Sequence, residues 1–361
     1  MTAKFFSCLI AALLSTAAIS HATIRFVSPN PGSAPFTSIA TAYNTAVSGD
    51  TIVLGPGTYT ESFGIAGKKI HFIGAGWDVC TWNGYVSIYY AGSTGTVFEG
   101  IRFPGGGYFT IYPYSDVDSV TVRRCNVSGA SGYSPLYLNA GKVFVSDCVL
   151  SAVYNSCAYI GTLANGNVIF RNTVFNLTTP STAYSSMYGP NGATVEIYNC
   201  VFLNFSTIFN VTGIPQVIGL NNIFWDWGAS PSFGTLPVGS VFEYSAAGSD
   251  APAWPANFTN NINLGGNNPF VNYATDYYEY GVSNLHLNAL TGGLMCVDAG
   301  YPTILDLDST ASDLGIYGGP KPFVDHGVPA FPFAVSLNID NLVEVGDSVN
   351  VVSSGRIGPR Y

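Results

Sequence analysis

A short pattern recurs through the middle of this chain at intervals of a little over twenty residues. Each copy has two alternating hydrophobic residues, a polar bend and a second hydrophobic strand. Because one copy cannot bury its hydrophobic side alone, neighbouring copies must stack. The pattern therefore predicts an all-β solenoid. Its anchor positions, separated by 23, 25, 27 and 22 residues, are Cys125, Cys148, Thr173, Cys200 and Asn222.

The bend inside each copy has a consistent chemistry. Asn and Asp tolerate the left-handed backbone region, which a sharp bend between two strands requires. In the copy around residue 200, Val195 and Ile197 should face inward before the bend, and Cys200 and Phe202 after it. The equivalent bend positions in four copies are Asp147, Asn172, Asn199 and Asn221.

The cysteines fit the same interior. Cys8 lies in the first 22 residues, and six others follow: Cys80, Cys125, Cys148, Cys157, Cys200 and Cys296. An even number in an exported chain would suit disulfides. Three of them, however, occupy one repeat column as small apolar residues, so free buried thiols are the preferred interpretation. A local Cys148–Cys157 bridge remains an alternative.

The chain divides into three parts. Residues 1–22 have the charged start, apolar run and small-residue exit of a secretory signal. Residues 23–325 should form the solenoid, with residues 37–47 as a short capping helix because their apolar residues have helical spacing. Residues 326–361 are Pro-rich and then alternating, and they suit a cap, a tether or a partial β module.

Composition limits the partners. The formal net charge is −9, and it becomes −10 when the signal takes Lys4 with it. An acidic chain with 9% charged residues argues against nucleic acid and anionic membrane surfaces as general partners. No later apolar run is long enough for a membrane-spanning helix. A secreted, extracellular or cell-surface location is expected.

Several motifs resemble those of a known superfamily. "GDTIVLGPGTYTE" and "IHFIGAG" are similar to the opening coils of pectin-lyase-like β-helix proteins. "NNPFVN", "SNLHL", "CVDAG" and "DLDSTASDLGIYGG" resemble the closing coils of bacterial secreted β-helix repeat proteins, with Asn268 and Ser309 where Asp and Gly are usual. The resemblance covers about residues 24–320 and implies a right-handed parallel β-helix. It carries no activity, because one fold hosts unrelated functions.

A row of aromatic residues is the first candidate site. Each ring follows an apolar, inward-facing residue in its repeat, so alternation should turn the rings outward. Aromatic rings in line on a wet surface suit the faces of sugars. Loops covering the row, or a slip of one residue that turns the rings inward, are the alternatives. The candidate ligand-binding residues are Tyr112, Tyr137, Tyr159, Tyr188 and Phe209.

A charged cluster is the second candidate. Arg123, Arg124, Asp147 and Arg171 occupy two adjacent columns on one face. Polysaccharide lyases of the resembled superfamily use Arg or Lys as a base, often beside Ca²⁺, so these four residues are the catalytic candidates. The alternative is a solvated ladder of ion pairs that contributes little. The paired Asp segments of pectin methylesterases and the motifs of polygalacturonases are missing.

A third group of residues is a candidate metal site. Asp306, Asp308 and Asp313 alternate in a polar segment, and carboxylates are the ligands that Ca²⁺ prefers. A hydrogen-bonded turn explains the same residues. No other cofactor is expected, because the histidines lack metal-ligand spacing.

These observations favour a non-catalytic glycan-binding or structural β-helix that uses the aromatic row. The alternative is a polysaccharide lyase or glycoside hydrolase that acts at the arginine-rich face.

Overall fold

The structure is a computed structural model of the chain. It describes residues 22–361 except 106–108, 162–165, 180–183, 190–192, 214–215, 229, 249, 274–276 and 340–347. The predicted signal thus lies almost wholly outside the described residues.

The described chain winds into a right-handed parallel β-helix with three sheets. Sheet A has the strands Ile24–Val27, Thr51–Leu54, His71–Gly74, Thr96–Glu99, Ser119–Arg123, Lys142–Ser146, Gly166–Arg171, Ala193–Tyr198, Val217–Leu220 and Val241–Glu243. Sheet B has Gly57–Thr60, Cys80–Asn83, Arg102–Phe103, Asn126–Ser128, Val149–Ala152, Val174–Leu177, Val201–Leu203, Ile223–Trp225, Ala246–Gly248 and Ile262–Gly265. Sheet C has Phe63–Ala66, Val86–Tyr89, Ile111–Pro113, Leu136–Leu138, Ala158–Ile160, Ser185–Tyr188, Thr207–Asn210 and Ser232–Thr235. The predicted stacking of repeats is confirmed.

Columns of identical side chains fill the interior. Phe175, Phe202 and Phe224 come from successive coils and stack with centroid distances of 4.6 and 4.8 Å. All six described cysteines are buried and free, so the alternative Cys148–Cys157 bridge is not formed. Cys157 points inward, where its Sγ lies 3.3 Å from the Leu150 carbonyl oxygen. The core is therefore held by apolar packing without cross-links.

The polar bends between sheets A and B have the predicted backbone. Asp147, Asn172, Asn199 and Asn221 have φ values of 52°, 44°, 52° and 60°. Arg124 occupies the same position one coil earlier with a φ of 53°. Asn and Asp accept this region at low cost, whereas Arg accepts it less readily.

A short helix covers the first coil, as predicted. Helix α1 spans Ile39–Thr45 and begins after the cap residue Ser38. The carboxylate of Glu61 accepts hydrogen bonds from the Ile39 and Ala40 amides, each at 2.8 Å. An acidic group at a helix start satisfies free amides and favours the helix dipole. Glu61 therefore anchors this cap.

The closing motifs do not add further coils to the stack. Residues 300–328, here named the return segment, run back along the bends between sheets A and B. Asn221 binds the Tyr301 amide, Asn199 binds the Asp313 carbonyl, and Asn172 binds the carbonyls of Ile316 and Gly318. Further back, the Trp77 amide donates to the His326 carbonyl at 2.9 Å. The side chains of the Asn column thus fasten the return segment to successive coils.

The last residues form an antiparallel ribbon beside the early coils. Its strands are Phe333–Ile339 and Val351–Arg356. Arg356 pairs with Asp78 at 2.8 Å, and Arg124 donates to the carbonyl of Pro359 at 2.9 Å.

The remaining elements are short. A second antiparallel ribbon joins Phe270–Asn272 to Asn284–Leu287, and helix α2 spans Thr291–Leu294. Single 3₁₀ turns occur at Ala91–Ser93 and Asp325–Gly327. Within the described ranges, no helix has the length and apolar character that crossing a membrane requires.

Candidate functional site

The predicted charged columns exist on the outer face of sheet A. Strand register places Glu99 beside Arg123, Arg123 beside Ser146, Ser146 beside Arg171, and Arg171 beside Tyr198. Neighbouring strands in such a sheet are ~4.8 Å apart, so Arg123 and Arg171 lie about two strand spacings from each other.

A groove with a volume of about 980 Å³ runs over this face. Sheet A provides its floor, where Phe144 is 42% exposed. The return segment provides further lining residues, including Tyr301, Leu305 and Lys321. Three of the four predicted catalytic candidates, Arg123, Asp147 and Arg171, line this groove together.

Two cations in the groove are not neutralised by carboxylates. Among the described residues, neither Arg171 nor Lys321 makes an ion pair, and both are exposed. The Arg171 guanidinium lies 5.2 Å from the ring centroid of Tyr198, a contact that positions the charge without removing it. Three lining residues are cationic and only Asp147 is acidic. The groove therefore favours anionic ligands although the chain as a whole is acidic.

Asp147 is the buried acid of the groove. Burial raises the pKa of its carboxyl group to about 7, although the charges of Arg124 and Arg123 oppose the change. Its Oδ1 atom has no hydrogen-bond partner among the described residues. The carboxyl group can thus exchange a proton near neutral pH, which an ordinary aspartate does not do.

Asp147→Asn should reduce the pH dependence of stability. The wild-type folded state keeps this proton up to a pH of about 7. The unfolded state releases it near pH ~3.9, so stability should fall by roughly 2–3 kcal/mol between pH 5 and pH 8. Asparagine has the shape of aspartate and tolerates the left-handed backbone, but it does not titrate. The free energy of unfolding of the Asp147→Asn variant should therefore change much less between pH 5 and pH 8. Urea unfolding at both pH values tests this, with the exposed Asp116→Asn as the matched control; the same fall in both variants would contradict it.

Arg124 does not line the groove, and its guanidinium contacts the C-terminal part of the chain. Its guanidinium donates to the carbonyls of Val328 at 3.1 Å and Pro359 at 2.9 Å. The fourth catalytic candidate therefore fastens the C-terminal residues. Beside it, burial alone would raise the pKa of Glu99, but hydrogen bonds from His71 and Arg123 and their charges lower it. Glu99 is thus an ionised partner for these side chains, with the Arg123 contact at 2.6 Å.

The aromatic row lies on the outer face of sheet C, except at its last member. Tyr112, Tyr137 and Tyr159 are half-buried, and Tyr188 is exposed. Phe209 is fully buried and pairs with Met187, while Asn210 takes the outward place beside Tyr188. The prediction of Phe209 as a ligand-binding residue is therefore wrong. Offsets counted from the repeat anchors slip by one residue where the connecting segments differ in length, and burying Phe rather than Asn is favourable.

The rings of this row pack on one another. Tyr137 and Tyr159 are stacked at 4.4 Å with 9° between their planes, and Tyr112 stacks on Tyr114 at 4.1 Å. A sugar needs an open ring face, and these faces are occupied by neighbouring rings. Packing of rings from successive coils on one another, as between Tyr137 and Tyr159, helps to hold the coils together.

The carboxylates of the three aspartates proposed as a calcium site accept hydrogen bonds within turns of the backbone. Asp306 accepts hydrogen bonds from the amides of Asp313 and Gly319. Asp308 accepts from Thr310, and Asp313 from the Asp298 amide. No group of three or more His, Cys, Asp or Glu residues within the described ranges is arranged to hold a metal ion.

Several groove residues could not be found from the repeat. Lys321, Tyr301 and Leu305 belong to the return segment, which has no repeat relation to sheet A. One signal was present: a column of Asn side chains at buried bends requires hydrogen-bond partners. That requirement predicts a covering segment, although not its identity.

Known structures share this architecture. The chain is similar to the crystal structure of pectate lyase Pel9A, with a TM-score of 0.53, 18% identity and coverage of 82% of this chain and 96% of that one. It is also similar to a pectin methylesterase in complex with a hexasaccharide, with a TM-score of 0.41, 14% identity and coverage of 64% and 80%. Neither a protein-family model nor a curated protein matches the sequence. The chain therefore shares the parallel β-helix fold of the pectate lyase structure, and at this identity the likeness concerns the fold alone.

Proposed function

We propose that this chain binds an acidic polysaccharide in the groove over sheet A. The observation that carries the proposal is the pair of unneutralised cations in an open groove, Arg171 on sheet A and Lys321 on the return segment. Carboxylates of a uronate chain would pair with these cations. The exposed ring of Phe144 and the side chain of Leu305 would contact the apolar faces of the sugars. Export by residues 1–22 would bring the protein to such polymers.

The proposal moves the glycan site from sheet C to sheet A. Stacked rings leave little free face on the tyrosine row, whereas the groove combines depth, charge and apolar surface. The pectate lyase likeness makes glycan partners plausible without assigning one.

The double variant Arg171→Ala/Lys321→Ala should weaken binding of polygalacturonate at least tenfold. Loss of two charge-assisted contacts accounts for an effect of ~2–3 kcal/mol. Calorimetric titration at low salt measures it, and wild-type affinity should fall as salt is added. Lys142→Ala is the matched control, since it removes an exposed cation of sheet A outside the groove.

Three outcomes would contradict the proposal: unchanged affinity of the double variant, equal binding of a neutral polymer such as dextran, or loss of binding in Tyr188→Ala alone. Loss of binding in Tyr188→Ala would indicate that the glycan binds at the tyrosine row.

A lyase is the second candidate function, favoured by the pKa of Asp147 near 7 within the groove. A base there could remove the proton beside a uronate carboxylate while the cations neutralise that carboxylate. The glycosidic carbon–oxygen bond on the neighbouring carbon would break as the carbon–carbon double bond forms, and the departing oxygen would become a hydroxyl group by taking a proton from water or from the protonated Asp147. The double bond is conjugated with the carboxylate and absorbs in the ultraviolet. The same titrations, monitored by absorbance, test it: absorbance that grows with wild type and not with Asp147→Asn supports catalysis, and no growth leaves a binding protein.

A further inference from the structure

A second, chemically different pocket lies between the return segment and the ribbon that ends at Asn284–Leu287. Its volume is about 390 Å³. Its walls include Tyr280, Tyr317, His286, His326 and Asp325. Neither the repeat pattern nor the proposed polysaccharide groove accounts for this concentration of rings.

The rings form two groups in mutual contact. Tyr280 lies 4.7 Å from Trp77 and 5.9 Å from His326, centroid to centroid. His286 stacks on Tyr317 at 3.7 Å. Asp325 links the groups, because it precedes His326 in the chain and accepts a hydrogen bond of 2.7 Å from the Tyr317 hydroxyl. Each ring is thus held in place before any ligand arrives.

The charge of this pocket is opposite to that of the groove. Its described lining contains no Lys or Arg, and Asp325 makes no ion pair within the part of the chain that the structure covers. Two arginines lie near Tyr280, outside the pocket lining: Arg356 is paired with Asp78 at 2.8 Å, and the charge of Arg102 also reaches Tyr280. Burial and the Asp325 charge both raise the pKa of the Tyr317 and Tyr278 hydroxyls. An anion is disfavoured here and a cation is favoured.

We infer that this pocket binds a compact organic cation, a ligand that carries an ammonium or trimethylammonium group. The ring of Tyr280, whose described contacts with Trp77 and His326 are T-shaped and not stacked, attracts such a group through its quadrupole, and the carboxylate of Asp325 supplies the counter-charge. The volume suits one sugar ring or a small amine. A protonated amino sugar and a quaternary amine share this chemistry, and the experiment distinguishes them.

Titration of the full chain with glucosamine, tetramethylammonium and glucose at pH 7 tests the inference. We expect millimolar binding of at least one cation and none of glucose. Asp325→Asn should weaken that binding at least fivefold, because it removes the charge and keeps an acceptor for Tyr317. Tyr280→Ala should weaken it similarly, while Tyr280→Phe should preserve it.

Asp308→Asn, an exposed aspartate in the return segment, is the matched control and should bind as wild type. Binding of glucosamine alone, or of tetramethylammonium alone, would support the inference and identify the class. Equal binding of glucose, no binding of either cation, or full affinity in Asp325→Asn would overturn it. The groove variant Arg171→Ala/Lys321→Ala should keep this site, so the two proposals fail separately.

Discussion

Replacing Asn199 with valine is expected to lower the free energy of unfolding by about 4 kcal/mol or more. The Asn199 amide donates to the Asp313 carbonyl and the Ser312 hydroxyl, each at 3.0 Å, and the residue is buried. Leaving such partners unpaired costs ~1–3 kcal/mol each. A β-branched residue at a φ of 52° adds ~1–2 kcal/mol of backbone strain. Urea unfolding monitored by circular dichroism gives the value.

Two variants separate these causes. Asn199→Gly adopts the left-handed backbone without steric strain, so it loses the hydrogen bonds and, in addition, some backbone entropy on folding. Asn260→Val places the same side chain at an exposed position with a φ of 57° and tests strain without the return segment. If Asn199→Val destabilises no more than Asn260→Val, then the return segment is not fastened by this side chain.

Phe202→Ala is expected to destabilise the protein by about 4 kcal/mol, the usual cost of removing a buried ring from a close-packed core. Phe202 is 1% exposed, and Phe175 and Phe224 stack on its two faces. Truncation of Phe202 therefore leaves a cavity between Phe175 and Phe224, the rings of the two neighbouring coils.

Phe144→Ala is the matched control, because Phe144 lies on the outer face of the β-helix. It should change stability by less than ~1 kcal/mol, because that ring is 42% exposed. It should instead weaken binding of polygalacturonate, while Phe202→Ala should leave binding intact in the folded fraction. Equal losses of stability in the two variants would show that the assignment of inner and outer faces is wrong.

The repeat made the architecture predictable from sequence. A period near two dozen residues, alternating hydrophobic positions and an Asn or Asp bend determine strand, turn and stacking together. The inward places of Val195 and Cys200 and the left-handed backbone of Asn199 follow from these local rules. The register predicted across sheet A is correct, because each of its repeat strands ends at the same number of residues before the bend.

The site was only half predictable. Arg123, Asp147 and Arg171 lie in repeat columns and could be placed together from spacing alone. Lys321 could not, since it reaches the groove through a non-repeating segment about 150 residues later in the chain. The prediction for Phe209 was wrong for a related reason. Sheet C follows connecting segments of variable length, and an error of one residue in the register moves a side chain from the outer face to the inner face.

The return segment also bears on how the molecule comes apart. A solenoid whose coils contact only their neighbours can fray from either end, one unit at a time. Here the return segment is hydrogen-bonded to coils from Asn221 back to Trp77. An end coil therefore cannot unfold without weakening the contacts of coils far from it. Amide hydrogen exchange across these coils should consequently share one common opening free energy, in place of the graded protection of an untied repeat array.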